Sequence, residues 1–159
     1  MAIIRDRAIV EDDFAHVADG ADPAPGLRPI FPLARFVGDV DGLLACHPVL
    51  GVRVPSNKLP GDIPAIDRLA LIAIEFPAFT DGRGYSVARL LRERHGFRGE
   101  LRAVGTVLRD NLRYLERCGF NAFELAPGKA LDSALEAFGE HPLTYQAAAD
   151  DRRPHYRRR

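Results

Sequence analysis

Apolar and polar positions follow two different rhythms along the chain, most clearly from Gly51 onward. Short apolar runs rich in β-branched residues, such as LIAIEF at 71–76, alternate with segments whose apolar residues recur every three or four positions. A nearly continuous apolar run is typical of a strand covered on both faces, as in a parallel sheet. Leu108, Leu112 and Leu115 lie at i, i+4 and i+7, so they share one helical face. The pattern therefore predicts a succession of βα units.

These units predict an α/β fold with a mostly parallel sheet of about four to five strands, built by residues 50–146. Ser86 and Thr106 are expected to cap two of the helices that follow the strands. The strand order stays open between a doubly wound sheet and a fragment of a (βα) barrel, since 159 residues are too few for a complete eight-unit barrel. Strands are expected at 51–54, 71–76, 101–105 and 122–125, with a further candidate at 143–146.

The two ends of the chain carry weaker patterns. Residues 1–17 hold two short β-branched runs and predict a β hairpin, whereas 18–29 hold three prolines without periodicity and predict a loop or linker. A helix interrupted by glycines is expected within 33–45, and residues 147–159 form an Arg-rich tail. We expect residues 1–159 to form a single domain.

Composition narrows the class of protein. The 159 residues are 47% hydrophobic and 28% charged with two cysteines, which excludes collagen-like, strongly disordered and disulfide-scaffold chains. No apolar stretch is long enough to span a membrane and no signal-peptide pattern follows Met1, so we expect a cytoplasmic protein that does not bind membranes. Cys46 and Cys118 are then expected to be reduced thiols, with Cys118 in the core.

Charge is balanced overall but unevenly distributed. The 22 basic and 22 acidic residues cancel, so no global field favours nucleic acid. Residues 83–117, however, hold nine arginines and only four carboxylates. This excess is either an ordinary solvated surface or a surface that binds an acidic partner. In the second interpretation, the candidate partner-binding residues are Arg89, Arg92, Arg109 and Arg113.

The loop at 80–86, TDGRGYS, is the richest in candidate chemistry. It follows a predicted strand, and in parallel sheets ligands sit at the C-terminal ends of the strands. In the functional interpretation Arg83 holds a small anion while Asp81 is the candidate catalytic acid or base. In the structural interpretation Asp81 caps local N–H groups and Arg83 pairs with a nearby acid. The candidate ligand-binding residues are Gly82, Arg83, Gly84, Tyr85, Ser86 and Thr106.

No cofactor or metal site is evident in the sequence. The D-G-x-G segment is neither a Walker motif nor a dinucleotide fingerprint, so it predicts no nucleotide cofactor. The histidines lack metal-ligand spacing, and Cys46 beside His47 is at most half of such a site. We therefore expect no bound metal.

Residues 76–125 carry the order DGRGYS, GELRAVG, CGF. This segment resembles the characteristic region of a proteobacterial family of unknown function, and the similarity extends over most of the chain. Members of that family are commonly encoded beside assimilatory sulfite reductase and phosphoadenylylsulfate reductase, and are often labelled oxidoreductases for that reason. The resemblance thus implies a role in sulfur assimilation without implying a mechanism.

Two hypotheses follow. In the first, the protein is an accessory of assimilatory sulfate or sulfite reduction that docks on sulfite reductase or a neighbouring pathway enzyme. In the second, it is a small α/β enzyme or sensor that binds sulfite, sulfate or a nucleotide phosphate at the 80–86 loop. A scaffold subunit is a third possibility, and a homo-oligomer is compatible with all three.

Overall fold

Eight strands form one curled, mostly parallel sheet in a computed structural model that describes residues 1–126, 128, 130–140, 146–151, 153 and 155–157. The strands are β1 (Ala2–Arg5), β2 (Ala8–Glu11), β3 (Phe14–His16), β4 (Arg28–Pro32), β5 (Gly51–Val54), β6 (Leu71–Phe76), β7 (Glu100–Gly105) and β8 (Ala122–Phe123). The α-helices are α1 (Leu33–Gly38), α2 (Val40–Cys46), α3 (Arg83–Glu93), α4 (Leu112–Arg117) and α5 (Leu131–Glu136). Short 3-10 turns cover Pro60–Asp62, Ile66–Arg68, Arg109–Asn111 and His155–Arg157.

The α/β class is confirmed, but the described residues form a sheet of eight strands rather than four to five. The two strands of the N-terminal hairpin join the same sheet, because β1 pairs antiparallel with β8 as well as with β2. Two further strands, β3 and β4, were not predicted. They are short, and β4 has prolines at two of its five positions, so the pattern of a strand is weak there. The candidate strand at 143–146 lies outside the described residues except for Gln146.

The strand order is that of a (βα) barrel and not of a doubly wound sheet. Strands β3 to β8 are mutually parallel, and each lies beside the next strand in the chain. The two edge strands, β2 and β3, are also consecutive, with only Asp12 and Asp13 between them. Because two residues cannot span a flat sheet of this width, the sheet must curl until its edges meet.

The curled sheet has two unlike faces. Its outer face packs under the helices in one large apolar core, to which Ile72, Ile74 and Leu101 contribute from the strands and Val87 and Leu91 from α3. The inner face has only a small apolar cluster. Its members are Phe14, Ile30, Leu71, Ala73 and Val104.

Arg102 of β7 occupies the inner face and is completely buried. Its Nη1 and Nη2 atoms donate to the two carboxylate oxygens of Asp12 at 2.6 and 2.8 Å, and its Nε donates to Glu100 at 2.7 Å. Burial opposes the charged form, but the hydrogen bonds and charges of Asp12 and Glu100 outweigh it and raise the pKa of Arg102. This ion pair joins β7 to the link between the two edge strands.

No described helix meets the length and apolarity needed to cross a membrane. Of the two cysteines, Cys46 is exposed, whereas Cys118 is buried as expected. Burial raises the pKa of the Cys118 thiol.

We expect Arg102→Ala to destabilise the protein by about 3–5 kcal/mol, because it leaves the buried carboxylate of Asp12 without its counter-charge and leaves Glu100 with Arg5 as its remaining partner. Urea unfolding followed by circular dichroism measures the loss. The control is Arg68→Ala, which removes an exposed pair with Asp41 and should cost less than about 1 kcal/mol. Equal losses for the two variants would contradict a special role for the buried pair.

Candidate functional site

The loops that follow β5, β6 and β7 meet at the C-terminal rim of the sheet. Residues 80–86, predicted to form one loop, are partly helical, because α3 begins at Arg83 and not after Ser86. Ser86 is therefore an exposed residue in the first helical turns and not the cap. The chain turns into the helix at Gly82, whose backbone is close to helical.

Asp81 is the centre of the hydrogen bonding in this loop. Its carboxylate accepts from the Arg83 side chain at 2.9 and 2.7 Å, from the Arg83 backbone N–H at 3.1 Å, and from the Ser56 hydroxyl at 2.6 Å. The Arg83 side chain, Ser56 and the Arg83 backbone hold the pKa of Asp81 well below its usual range. Ser56 was not among the predicted site residues, although its loop follows a strand to the same rim. These bonds tie the loop after β5 to the loop after β6.

The two glycines of the loop differ in how much space a Cβ atom would have. A Cβ on Gly84 would lie 2.7 Å from the Phe76 ring and 3.1 Å from Ile74, so α3 approaches β6 as closely as only glycine allows. A Cβ on Gly82 would meet only Tyr85, at 3.8 Å. Close packing therefore accounts for Gly84, while nothing in the structure requires glycine at position 82.

Tyr85 and Thr106 lie beside the same strand end. The half-buried Tyr85 ring packs against Phe76 and Tyr114 with centroids 5.2 and 4.9 Å apart, and its burial raises its pKa. Thr106 is held by β6, because its N–H donates to the Phe76 carbonyl at 2.7 Å and its hydroxyl to the Pro77 carbonyl at 3.4 Å. Thr106 does not cap a helix, since 3-10 turn Arg109–Asn111 precedes α4.

The four arginines predicted to bind a partner all make contacts within the chain. Arg89 pairs with Glu93 at 2.9 Å on the surface of α3. Arg92 is half-buried and donates to three backbone carbonyls and to Asn121, so it joins α3 to the loops beneath it. Their binding of a partner stays a prediction. The contacts of the other two are Ser133, Glu136 and Glu140 for Arg109, and Glu116 and Asp150 for Arg113.

A second group of charged residues lies at the mouth of the curled sheet, which is the opening enclosed by the C-terminal rim. His16 Nε2 is 2.9 Å from a carboxylate oxygen of Glu124, and Arg53 Nε is 3.1 Å from one of Glu75. Arg102 lies below, with Nη1 3.8 Å from Glu124. The Nδ1 atom of His16 is buried and has no hydrogen-bond partner within the described residues.

Sequence reasoning missed these four residues at the mouth. His16, Arg53 and Glu75 occupy the last inward-facing position of β3, β5 and β6, and Glu124 directly follows β8. Period-two alternation could have indicated Arg53 and Glu75, because each interrupts an apolar run with a charge one residue before the strand ends. It could not have shown that the four meet.

Residues 51–156 match the family described as "Bacterial protein of unknown function (DUF934)". This chain belongs to that family. No curated protein and no solved structure matches this chain. The matched region of the DUF934 chain runs from β5 to the last 3-10 turn, so it includes the rim loops, Arg53, Glu75 and Glu124, while His16 and Asp12 precede it.

The described part of this DUF934 protein contains no cluster of three or more His, Cys, Asp or Glu residues placed to hold a metal ion. At the mouth, each carboxylate already faces a basic side chain, as Glu75 faces Arg53 and Glu124 faces His16. A polar ligand at the mouth could therefore form hydrogen bonds with both charged groups of one pair.

We expect Gly84→Ala to destabilise the DUF934 protein by about 1–3 kcal/mol, because the added methyl group collides with Phe76. Gly82→Ala is the matched control two residues away, and it should change stability by less than about 1 kcal/mol. Thermal and urea unfolding of the three proteins provide the comparison. A neutral Gly84→Ala variant would show that α3 can move away from β6 at little cost.

Proposed function

We propose that this DUF934 protein is an accessory of assimilatory sulfate or sulfite reduction that docks on sulfite reductase or on a neighbouring enzyme of that pathway. The support from sequence is the resemblance of residues 76–125 to a family encoded beside those enzymes. In this role the protein assists electron delivery or assembly of the larger enzyme.

One structural observation carries the docking part of the proposal. Arg94 and Arg98, which follow α3 within the basic segment 83–117, are exposed, and neither has an ion-pair partner in the part of the chain that the structure describes. By contrast, Arg89, Arg92 and Arg113 of the same segment make intramolecular contacts. Unpaired guanidinium groups keep their capacity to bind carboxylates bidentately, so they suit an acidic partner.

The position of this basic pair also suits docking. Helix α3 runs from the C-terminal end of β6 to the N-terminal end of β7, so Arg94 and Arg98 lie at the end of the sheet opposite the strand-end mouth. A partner bound at this pair would leave the mouth open. Electrostatic docking of this kind depends strongly on ionic strength.

We expect Arg94→Glu combined with Arg98→Glu to weaken association with purified sulfite reductase by about tenfold or more at low salt, because attraction becomes repulsion. Biolayer interferometry across a salt series measures the effect. The control is Lys58→Glu at the opposite rim, which matches the charge change of Arg94→Glu alone and should bind as the wild type does. Binding that neither salt nor the first pair of substitutions alters, or no binding at all, would contradict the proposal.

A second candidate function is anion binding at the 80–86 loop by a small enzyme or sensor. The observation that favours it is the exposure of Arg83, 62% of whose side chain is accessible at the start of α3. Two of its guanidinium nitrogens contact Asp81, while Nη1 makes no hydrogen bond among the described residues. Sulfite, sulfate or a nucleotide phosphate would bind there beside the first helical turn.

We expect Arg83→Ala to lower the affinity for the bound anion by about tenfold or more, the usual effect of losing a charge-assisted hydrogen bond. Calorimetric titration with sulfite, sulfate and a nucleoside phosphate compares this variant with the wild type and with Arg68→Ala, a control outside the rim. Equal affinities for all three proteins would remove Arg83 from the site.

A further inference from the structure

The C-terminal mouth of the curled sheet contains two adjoining cavities that neither docking nor the 80–86 loop uses. The smaller has a volume of about 390 Å³ and is lined by His16, Glu124 and the ends of β6 and β7. The larger, of about 530 Å³, lies between the start of α1 and the loop after β5. Both volumes fall in the range of small-molecule sites. Arg53 and Glu75 line both cavities.

The ion pair between Arg53 and Glu75 uses only part of its hydrogen-bonding capacity. Arg53 Nε faces one oxygen of Glu75 at 3.1 Å. The two Nη atoms of Arg53 and the second oxygen of Glu75 make no hydrogen bond within the described ranges. The two side chains are 31% and 37% exposed, and a pair so accessible contributes little to stability. A ligand can therefore engage both groups at little cost to the fold.

The charges around the pair decide what kind of ligand fits. Besides Arg53 and Glu75, the larger cavity is lined by Lys58 and Asp19, and by Asp62, which accepts the Leu59 N–H at 2.9 Å. Basic and acidic groups are thus nearly balanced. An anion held by Arg53 alone would lie in the repulsive field of Glu75, and a cation held by Glu75 would be repelled by Arg53. A ligand that carries both charges a few atoms apart satisfies both groups.

The rest of the larger cavity is apolar. Val37 is 52% exposed there although it is a large aliphatic residue. Contact with a hydrocarbon or thioether group would remove this surface from water, which is favourable. The other apolar residues of the wall are Pro32, Leu33, Ala34 and Pro55.

We propose that this mouth binds a zwitterionic α-amino acid with an aliphatic or thioether side chain. The ligand's carboxylate accepts hydrogen bonds from the free Nη atoms of Arg53, its ammonium group donates to Glu75, and its side chain packs against the apolar wall beside α1. The inference does not depend on docking to sulfite reductase or on anion binding at Arg83.

Calorimetric titration of the full chain with L-methionine and L-leucine tests the ligand class. N-acetyl-L-leucine, which lacks the positive charge, and L-leucinamide, which lacks the negative charge, are the matched probes. We expect the free amino acids to bind, and each single-charge analogue to bind about tenfold more weakly or worse. If N-acetyl-L-leucine binds as tightly as L-leucine, the mouth is an anion site and the proposal is wrong. It is equally wrong if neither amino acid binds at millimolar concentration.

Two substitutions test the place of binding. Arg53→Gln and Glu75→Gln should each lower the affinity for L-leucine by about tenfold, because each removes one of the two charged contacts. Arg68→Gln, which alters an exposed pair away from the mouth, should leave it unchanged. Circular dichroism and melting curves show whether each variant is folded. Unchanged binding by either folded mouth variant would overturn the assignment, and the analogue series decides the ligand class should a variant not fold.

Discussion

A buried guanidinium is the constraint on which the rest of this structure depends. Arg102 lies inside the curled sheet with no exposure to solvent, so its charge must be neutralised by neighbours brought to it by the fold. Asp12 meets it with two hydrogen bonds at the link between the edge strands. Glu100, on the same strand, supplies one carboxylate, whereas Asp12 reaches Arg102 only when the two edges of the sheet come together. A flatter sheet would separate Arg102 from Asp12 and remove these two hydrogen bonds.

This constraint separates two kinds of ion pair in the molecule. Deep in the sheet, Arg102 and its carboxylates are buried and geometrically matched, so they serve the fold. At the mouth, Arg53 and Glu75 are a third exposed and incompletely hydrogen-bonded, so they contribute little to stability and are free to contact a ligand. Burial thus decides which charges hold the strands and which are accessible for binding.

The two ends of the sheet differ in how their charged side chains are paired. At the rim, Asp81 accepts hydrogen bonds from Arg83 and Ser56, which join two βα loops. At the N-terminal end of the sheet, Arg94 and Arg98 are exposed without described partners. The proposed ligand site and the proposed docking surface therefore lie at opposite ends of the sheet.

The sequence by itself determined the parts of this protein that depend on local periodicity. The apolar runs at β5, β6 and β7 and the amphipathic segment of α3 are visible because neighbours in the chain set both strand and helix patterns. The α/β class and the position of the 80–86 loop at a strand end follow from them. The expected number of strands, four to five, was too low partly because β3 and β4 are short and β4 contains prolines. Such segments carry a weak strand pattern, and they form strands here by pairing with their neighbours in the sheet. Only the tertiary structure decided the strand order, the Arg102–Asp12 contact across 90 positions and the meeting of Arg53, Glu75 and His16 at one mouth. These contacts depend on which strands become neighbours and on how far the sheet curls, and neither is encoded in any local pattern.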